Sequence, residues 1–218
     1  MRKIALVAGV LYLLTFVSIP TVALYAPIQD PNYIIGPGPD TPAIFGGILE
    51  IIVALAGIGT AVALYPVLKR QNEGVALGFV ATRVLEASTI FADVVCLLAV
   101  VSLRRAGAGA DALVTGRALL ALHVWFTLGQ SLMPVLNDLL LGALLYQSRL
   151  VPRVLPVLGF IGAPFLLANT IAKMFSIGGP ILTLTTIGAL PIALFEFSLG
   201  IWFIVKGFSP SAITSESV

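Results

Sequence analysis

The amino-acid sequence predicts an all-α, polytopic membrane protein in which six transmembrane helices form one bundle. Of the 218 residues, 59% are apolar and only 10% are charged, whereas soluble domains carry about 25% charged residues. So few charges cannot supply the polar surface of a soluble domain, which excludes soluble, disordered and nucleic-acid-binding proteins. Six apolar stretches are also long enough to cross a bilayer core, which takes about 20 helical residues.

The six predicted spans follow one another with short links, so we expect residues 1–218 to be one transmembrane domain with a short cytoplasmic tail. The first apolar stretch exceeds the core of a signal peptide, about 7 to 15 residues, and therefore predicts a retained helix. The link over residues 27–42 contains five prolines and two glycines, which indicates a surface loop. The spans run over about residues 4–25, 43–68, 75–103, 116–146, 155–177 and 181–205.

The distribution of lysine and arginine predicts the orientation of the chain. Cytoplasmic loops of membrane proteins carry an excess of these residues. Placing both termini in the cytoplasm puts seven basic residues inside and four outside, so we expect a multi-pass protein of the inner (plasma) membrane with that orientation. The adjacent Arg104 and Arg105 are the feature that opposes it. The inner set is Arg2, Lys3, Lys69, Arg70, Arg149, Arg153 and Lys206, and the outer set is Arg104, Arg105, Arg117 and Lys173.

Four ionisable residues are predicted at one depth in the cytoplasmic half of the bundle. Charges inside a membrane are costly, so they usually face the bundle interior and pair with one another. Arg83 and Glu86 are three residues apart and share a helix face, about 12 to 17 Å from the membrane edge. Asp138 and Glu196 come out near the same level. We predict a structural ion-pair layer in which Arg83 pairs with Glu86 and with at least one of Asp138 and Glu196.

A second polar group is predicted in the outer half of the bundle. In the fourth span His123, Gln130 and Pro134 lie on one side of the helix. Pro134 leaves a carbonyl without its usual donor, which is tolerated only against protein or a water-filled cavity. We therefore predict an outward-open cavity, lined by Glu50, Asp93, His123 and Gln130, that binds a polar or cationic ligand or relays protons. Alternatively, His123 makes only a hydrogen-bonded contact between helices.

No metal, cofactor or catalytic residue is predicted. A single histidine without a partner at ligand spacing makes a metal centre a weak hypothesis. The chain contains no phosphate-binding loop, dinucleotide-binding fingerprint or nucleophile elbow. Cys96 is the only cysteine, which excludes an internal disulfide.

Three segments of the chain resemble one known family. They are LYPVLKRQNEGVALGFVATRVLE from Leu64, LLYQSRLVPRVLPVLGFIGAP from Leu144, and PIALFEFSLGIWFIVKGF from Pro191. Among the most specific positions are Arg83 in the first segment and Glu196 in the third. Together they are similar to the bacterial integral-membrane family called domain of unknown function 4386, over nearly the whole chain. The resemblance implies a six-helix prokaryotic membrane protein and supplies no substrate.

Three functions are consistent with the sequence. The first is binding or transport of a small polar or cationic molecule through a polar bundle interior, which the charges at two depths favour. The second is a structural or partner-binding membrane subunit, in which the charges only join helices. The third is an intramembrane acid/base enzyme, for which no nucleophile with a paired base is visible. The lipid bilayer is the expected partner, and the oligomeric state is left open.

Overall fold

The chain is helical throughout the residues that the structure describes, which are 1–30, 32–175 and 181–209 of a computed structural model. Short 3-10 turns cover Thr15–Ser18, Pro27–Gln29 and Ala110–Ala112. The α-helices are α1 (Arg2–Leu14), α2 (Thr21–Leu24), α3 (Thr41–Leu68), α4 (Glu73–Arg105), α5 (Leu113–Ser148), α6 (Val154–Met174) and α7 (Ile181–Val205).

Five helical stretches in the described residues are long and apolar enough to cross a membrane. They are α1 together with α2, then α3, α4, α5 with its preceding turn, and α6. The sixth span is α7, which has 25 residues and is apolar over Ala189–Val205. The predicted all-α membrane fold is confirmed. The predicted count of six spans is roughly consistent with these five stretches and α7. The predicted end of the fifth span at Ile177 and the tail beyond residue 209 lie outside the described residues.

The long helices form a closed ring in the order of the chain. Each helix from α3 to α6 packs against the helix that follows it in the chain. The ring is closed by α1, which packs against both α3 and α7. The links at residues 69–72 and 149–153 are too short for anything except a return along the preceding helix, so these neighbours are antiparallel. The space inside the ring is filled differently at each level.

Apolar side chains fill the end of the ring where α1 begins and α7 ends. Leu64, Phe79 and Phe203 are fully buried there. The guanidinium of Arg2 donates to the carbonyl oxygens of Phe203 and Ile204, at 3.1 and 2.5 Å. Carbonyls in the last turn of a helix have no helical donor and attract cations. The first residues of the chain therefore cap the last helix.

The first span is interrupted, whereas a continuous helix is predicted over residues 4–25. A 3-10 turn separates α1 from α2, and Pro20 lies in the gap, where it supplies no backbone N–H. The Thr15 hydroxyl donates to the carbonyl of Tyr12 and the Thr21 hydroxyl to that of Ser18, both at 2.7 Å. Such local hydrogen bonds compete with the helical ladder. The prediction of an unbroken helix is wrong because these hydroxyls and the proline outweigh the apolar run.

Charge ties the outer loop over residues 27–42 to the end of α4. Arg104 donates Nε and Nη2 to the two oxygens of Asp40 at 2.6 and 2.5 Å, and Arg105 donates to the same carboxylate at 2.8 Å. The Tyr33 hydroxyl also donates to it, at 2.6 Å. The hydrogen bonds from Arg104 hold the pKa of Asp40 well below its usual range, because they favour the ionised carboxylate. The two arginines that oppose the predicted orientation are thus partly neutralised on their own side.

The helices α1 and α7 approach each other most closely at two glycines. A Cβ atom on Gly9 would lie 2.6 Å from the carbonyl oxygen of Gly200 and 2.8 Å from Cγ1 of Ile204. The carbonyl oxygen of Gly200 is a backbone atom, so it cannot rotate away as the end of a side chain could. The closure of the ring therefore depends on the missing side chain of Gly9.

We expect the change Gly9→Ala to lower the free energy of unfolding by about 1 to 3 kcal/mol, as overpacking does. The melting temperature in detergent measures this effect. Gly78→Ala is the matched control, because a Cβ there would meet only the side chain of Leu140, at an ordinary 3.7 Å. Equal melting temperatures for the two variants would contradict a tight contact between α1 and α7.

Candidate functional site

The arginine of the predicted inner layer holds two carboxylates from two helices. Arg83 is 4% exposed and donates Nη1 to Glu86 at 3.0 Å and Nη2 to Glu196 at 2.6 Å. Its Nη2 also reaches the hydroxyl of Tyr12 at 3.3 Å. The guanidinium lies 5.5 Å from the centre of the Tyr12 ring and 5.7 Å from that of Phe79. Arg83 thereby joins α1, α4 and α7 at one level.

Glu86 extends this network to α5. Its Oε2, already bonded to Arg83, also accepts from the side-chain amide of Asn137 at 2.8 Å. The Asn137 oxygen in turn accepts from the hydroxyl of Thr82 at 2.5 Å. From the sequence, neither Asn137 nor Thr82 is assigned to the layer. Their polarity at the level of Arg83 is the signal that could have identified them.

Asp138, predicted as a candidate partner of Arg83, makes no ion pair in the described part of the chain. It is fully buried, and neither carboxylate oxygen has a hydrogen-bond partner there. A Cβ atom on Gly159 of α6 would lie 3.3 Å from the Cβ of Asp138, so this residue faces α6. Successive helical residues are about 100° apart, and here Asn137 faces α4 in its place.

A cavity of about 340 Å³ lies beside the ion pairs, and residues from all six spans line it. One part of its wall is polar, with Arg83, Glu86, Glu196 and Gln130. Small residues elsewhere in the wall leave the space open, and the interrupted segment of the first span lines it as well. These lining residues are Ala54, Gly57, Ala87 and Ala193 in the helices, and Thr15, Phe16, Ser18 and Ile19 in the interrupted segment.

The four residues predicted to line an outer cavity are divided between two levels. Glu50, Asp93 and His123 are buried together, with 2.7 Å between His123 Nδ1 and Asp93 Oδ1. Tyr25 packs edge-on against His123, with ring centres 5.7 Å apart. The described cavities do not include these side chains, whereas Gln130 lines the cavity beside Arg83.

The cavity therefore lies deeper than the sequence predicts. Gln130 is seven residues beyond His123 on α5, which places it about 10 Å nearer the C-terminal end of that helix. At the outer level His123 approaches Asp93, and Tyr25 packs edge-on against the imidazole ring. At the level of Gln130 the interrupted first span and the small residues leave room. The sequence signal for this difference is the group Thr15, Ser18 and Pro20 within an apolar run.

Metal binding finds no support in the described residues. They contain no group of three or more histidine, cysteine, aspartate or glutamate side chains arranged to hold an ion. Among Glu50, Asp93 and His123, the close approach is the 2.7 Å between His123 Nδ1 and Asp93 Oδ1. The arrangement beside Arg83 instead offers carboxylate, amide and hydroxyl groups to a molecule in the cavity.

We expect Arg83→Gln to reduce the free energy of unfolding by about 3 to 5 kcal/mol, as removal of one partner of a buried ion pair does in soluble proteins. The physical reason is that Glu86 and Glu196 lose their shared cation. The melting temperature in detergent measures the effect, and adding Glu86→Gln and Glu196→Gln should restore part of the loss. Arg70→Gln, at an exposed position, is the control. A melting temperature of Arg83→Gln equal to that of this control would show that the pairs contribute no stability.

The comparison with known proteins identifies a family and no activity. The family model described as domain of unknown function (DUF4386) matches residues 7–207. No curated protein and no solved structure matches the chain. The matched range begins within the first span, continues through α7, and includes the charged residues beside the cavity. The chain therefore belongs to the DUF4386 family, as the resemblance in its sequence implies.

Proposed function

We propose that this protein binds a small polar or cationic molecule in the cavity beside Arg83 and carries it through the bundle interior. The observation that supports the proposal is a cavity of about 340 Å³ with two carboxylates and one guanidinium in its wall. Ligand sites measure about 300 to 1,000 Å³ and combine an apolar lining with a few polar groups. With all three groups ionised, Glu86 and Glu196 outweigh Arg83 by one negative charge.

The interruption of the first span also supports this proposal. Irregular backbone at membrane depth occurs where it is buried in protein or lines a cavity. Interrupted helices form the substrate sites of many transporters, where unpaired backbone groups face the ligand. Here the segment with Thr15 and Ser18 lies in the cavity wall, opposite the carboxylates of α4 and α7.

Ligand-induced stabilisation of the purified protein tests the proposal. We expect at least one compound in a panel of small amines, guanidines, amides and carboxylates to raise the melting temperature. A ligand at 100 times its Kd adds about 2.7 kcal/mol to the free energy of unfolding. Glu196→Gln should weaken that binding about tenfold, since it removes one charge from the wall.

The control variant is Glu73→Gln, which removes a carboxylate at an exposed position in the first turn of α4. It should bind the compound as the wild type does. The proposal is wrong if no compound stabilises the protein. It is also wrong if Glu196→Gln and Glu73→Gln bind every stabilising compound equally well.

A structural role is the second candidate, and a different observation favours it. The ion pair between Arg83 and Glu196 joins residues 113 positions apart in the chain and fixes α4 against α7. If joining helices were the whole role, Ala193→Leu, which fills part of the cavity, would leave function intact. Under the binding proposal this variant keeps its fold and loses the ligand.

We also propose that the protein resides in the inner membrane of a bacterium with both termini in the cytoplasm. The excess of basic residues at the start of α1 and in the links after α3 and α5 supports this orientation. The outer arginines Arg104 and Arg105 oppose this orientation. Both pair with the carboxylate of Asp40, so their positive charge is partly neutralised.

Single cysteines in a Cys96→Ala background test the orientation on intact cells. Ala108→Cys, in the link between α4 and α5, should react with an impermeant maleimide. Gln147→Cys, at the opposite end of α5, should react only after lysis. Both native side chains are exposed, so accessibility of the protein surface is matched. The reverse labelling pattern would overturn the orientation.

A further inference from the structure

We infer that the molecule bound beside Arg83 is an organic cation with apolar substituents, and that it reaches the cavity from the lipid beside the interruption of α1. This inference rests on the proposed function and specifies its substrate class. Three features of the cavity carry it: the charge that faces the space, the composition of the remaining wall, and the position of its opening.

Two of the three charged groups in the cavity wall are carboxylates, so with all three ionised the wall is net negative. Arg83 donates Nη1 to Glu86 and Nη2 to Glu196 and Tyr12. The rings of Tyr12 and Phe79 lie beside the guanidinium. Glu86 bonds Arg83 through Oε2 and Glu196 through Oε1, and no hydrogen bond within the described chain occupies the other oxygen of either carboxylate. The Nε of Arg83 has no hydrogen-bond partner within the described chain, but an anion that approached it would be repelled by the carboxylates of Glu86 and Glu196. A cation can approach the free oxygens without breaking a pair.

The rest of the wall is mostly apolar, formed by side chains such as Phe16, Val53, Ile90, Leu166 and Ile192. A hydrated inorganic ion would leave this surface in contact with water. An apolar group that covers it gains about 25 cal/mol for each Å² removed from water. The wall therefore selects a cation whose charge is attached to a hydrocarbon or aromatic group.

Along the bundle, buried side chains lie on both sides of the cavity. Beneath it, Tyr12, Phe79 and Phe195 are fully buried. Above it, the buried cluster of Asp93 and His123 with its neighbours occupies the interior. Neither level shows a described cavity that continues the one beside Arg83.

The side of the cavity at the interruption reaches the surface of the ring. Ile19 lines the cavity and is nevertheless 70% exposed, so this residue faces both the cavity and the bundle exterior. Phe16, which also lines the cavity, packs edge-on against Phe197 of α7 with ring centres 5.3 Å apart. The exterior at this depth is lipid, where cations with apolar groups concentrate.

Three probes of graded chemistry test the substrate class on the full-length protein in detergent. Benzyltrimethylammonium carries a positive charge and an aromatic ring. Neopentylbenzene has the same shape without the charge, and tetramethylammonium has the charge without the ring. We expect benzyltrimethylammonium to raise the melting temperature at the lowest concentration. Tetramethylammonium should bind about tenfold or more weakly, because it covers less of the apolar wall. Neopentylbenzene should neither stabilise the protein nor compete.

Two variants assign the binding to this cavity. Glu196→Gln should weaken benzyltrimethylammonium about tenfold, whereas Glu73→Gln should leave it unchanged. Because Glu196→Gln also alters the partner of Arg83, Ala193→Leu provides a variant that keeps every charge. It should weaken benzyltrimethylammonium and leave tetramethylammonium binding intact, since only the larger probe needs the lost volume.

The route is tested with a cysteine at the opening. In the Cys96→Ala background, Ile19→Cys should react with pyrene maleimide, and benzyltrimethylammonium should slow that reaction. Val22→Cys is the matched control, because Val22 is 85% exposed and does not line the cavity. Its reaction should not change with the probe. Equal behaviour of the two cysteines would overturn the route.

The outcomes separate this inference from the proposed function. If tetramethylammonium binds as tightly as benzyltrimethylammonium, or if neopentylbenzene competes, the substrate class is wrong. If none of the three probes binds but a hydrophilic compound of the earlier panel does, the inference fails and the proposed function stands. If nothing in either set binds, both fail.

Discussion

The ion pairs of Arg83 with Glu86 and Glu196 are the interactions on which the rest of this bundle depends. A guanidinium inside a membrane protein needs partners within the protein, because the surrounding lipid supplies none. Glu86 lies on the same helix, so Glu196 is the partner that constrains the fold. Its position fixes the register of α7 against α4 across the interior of the ring. The contact between α1 and α7 at Gly9 then closes the ring around this layer.

The bundle is organised in three levels, and the cavity beside Arg83 lies at the middle one. At one end apolar side chains fill the ring and Arg2 caps the last helix. At the other end Asp93 and His123 contact each other, and Asp40 ties the loop to Arg104. In the middle, the same carboxylates that pair with Arg83 line the cavity. Stability and the proposed binding therefore draw on the same two side chains.

Sequence reasoning predicts the parts of this structure that depend on local pattern. Apolar length predicts the spans, and the spacing of Arg83 and Glu86 places them on one helix face. Depth alone does not decide whether Asp138 or Glu196 pairs with Arg83. The pairing depends on which side of its helix each residue occupies. The pairing of Asp40 with Arg104 joins positions 64 residues apart. The cavity depends on how side chains fill a ring, which only the assembled helices determine.

The spacing of Arg83 and Glu86 also matters during biosynthesis. A ribosome makes the chain from the N-terminus, so α4 enters the bilayer while Glu196, 113 residues later, has not yet been made. During that interval Arg83 already has one carboxylate, three residues away on its own helix. The pair enters the membrane with little net charge, at a lower cost than a lone guanidinium. Glu86 thus serves the nascent chain first, and the finished bundle afterwards.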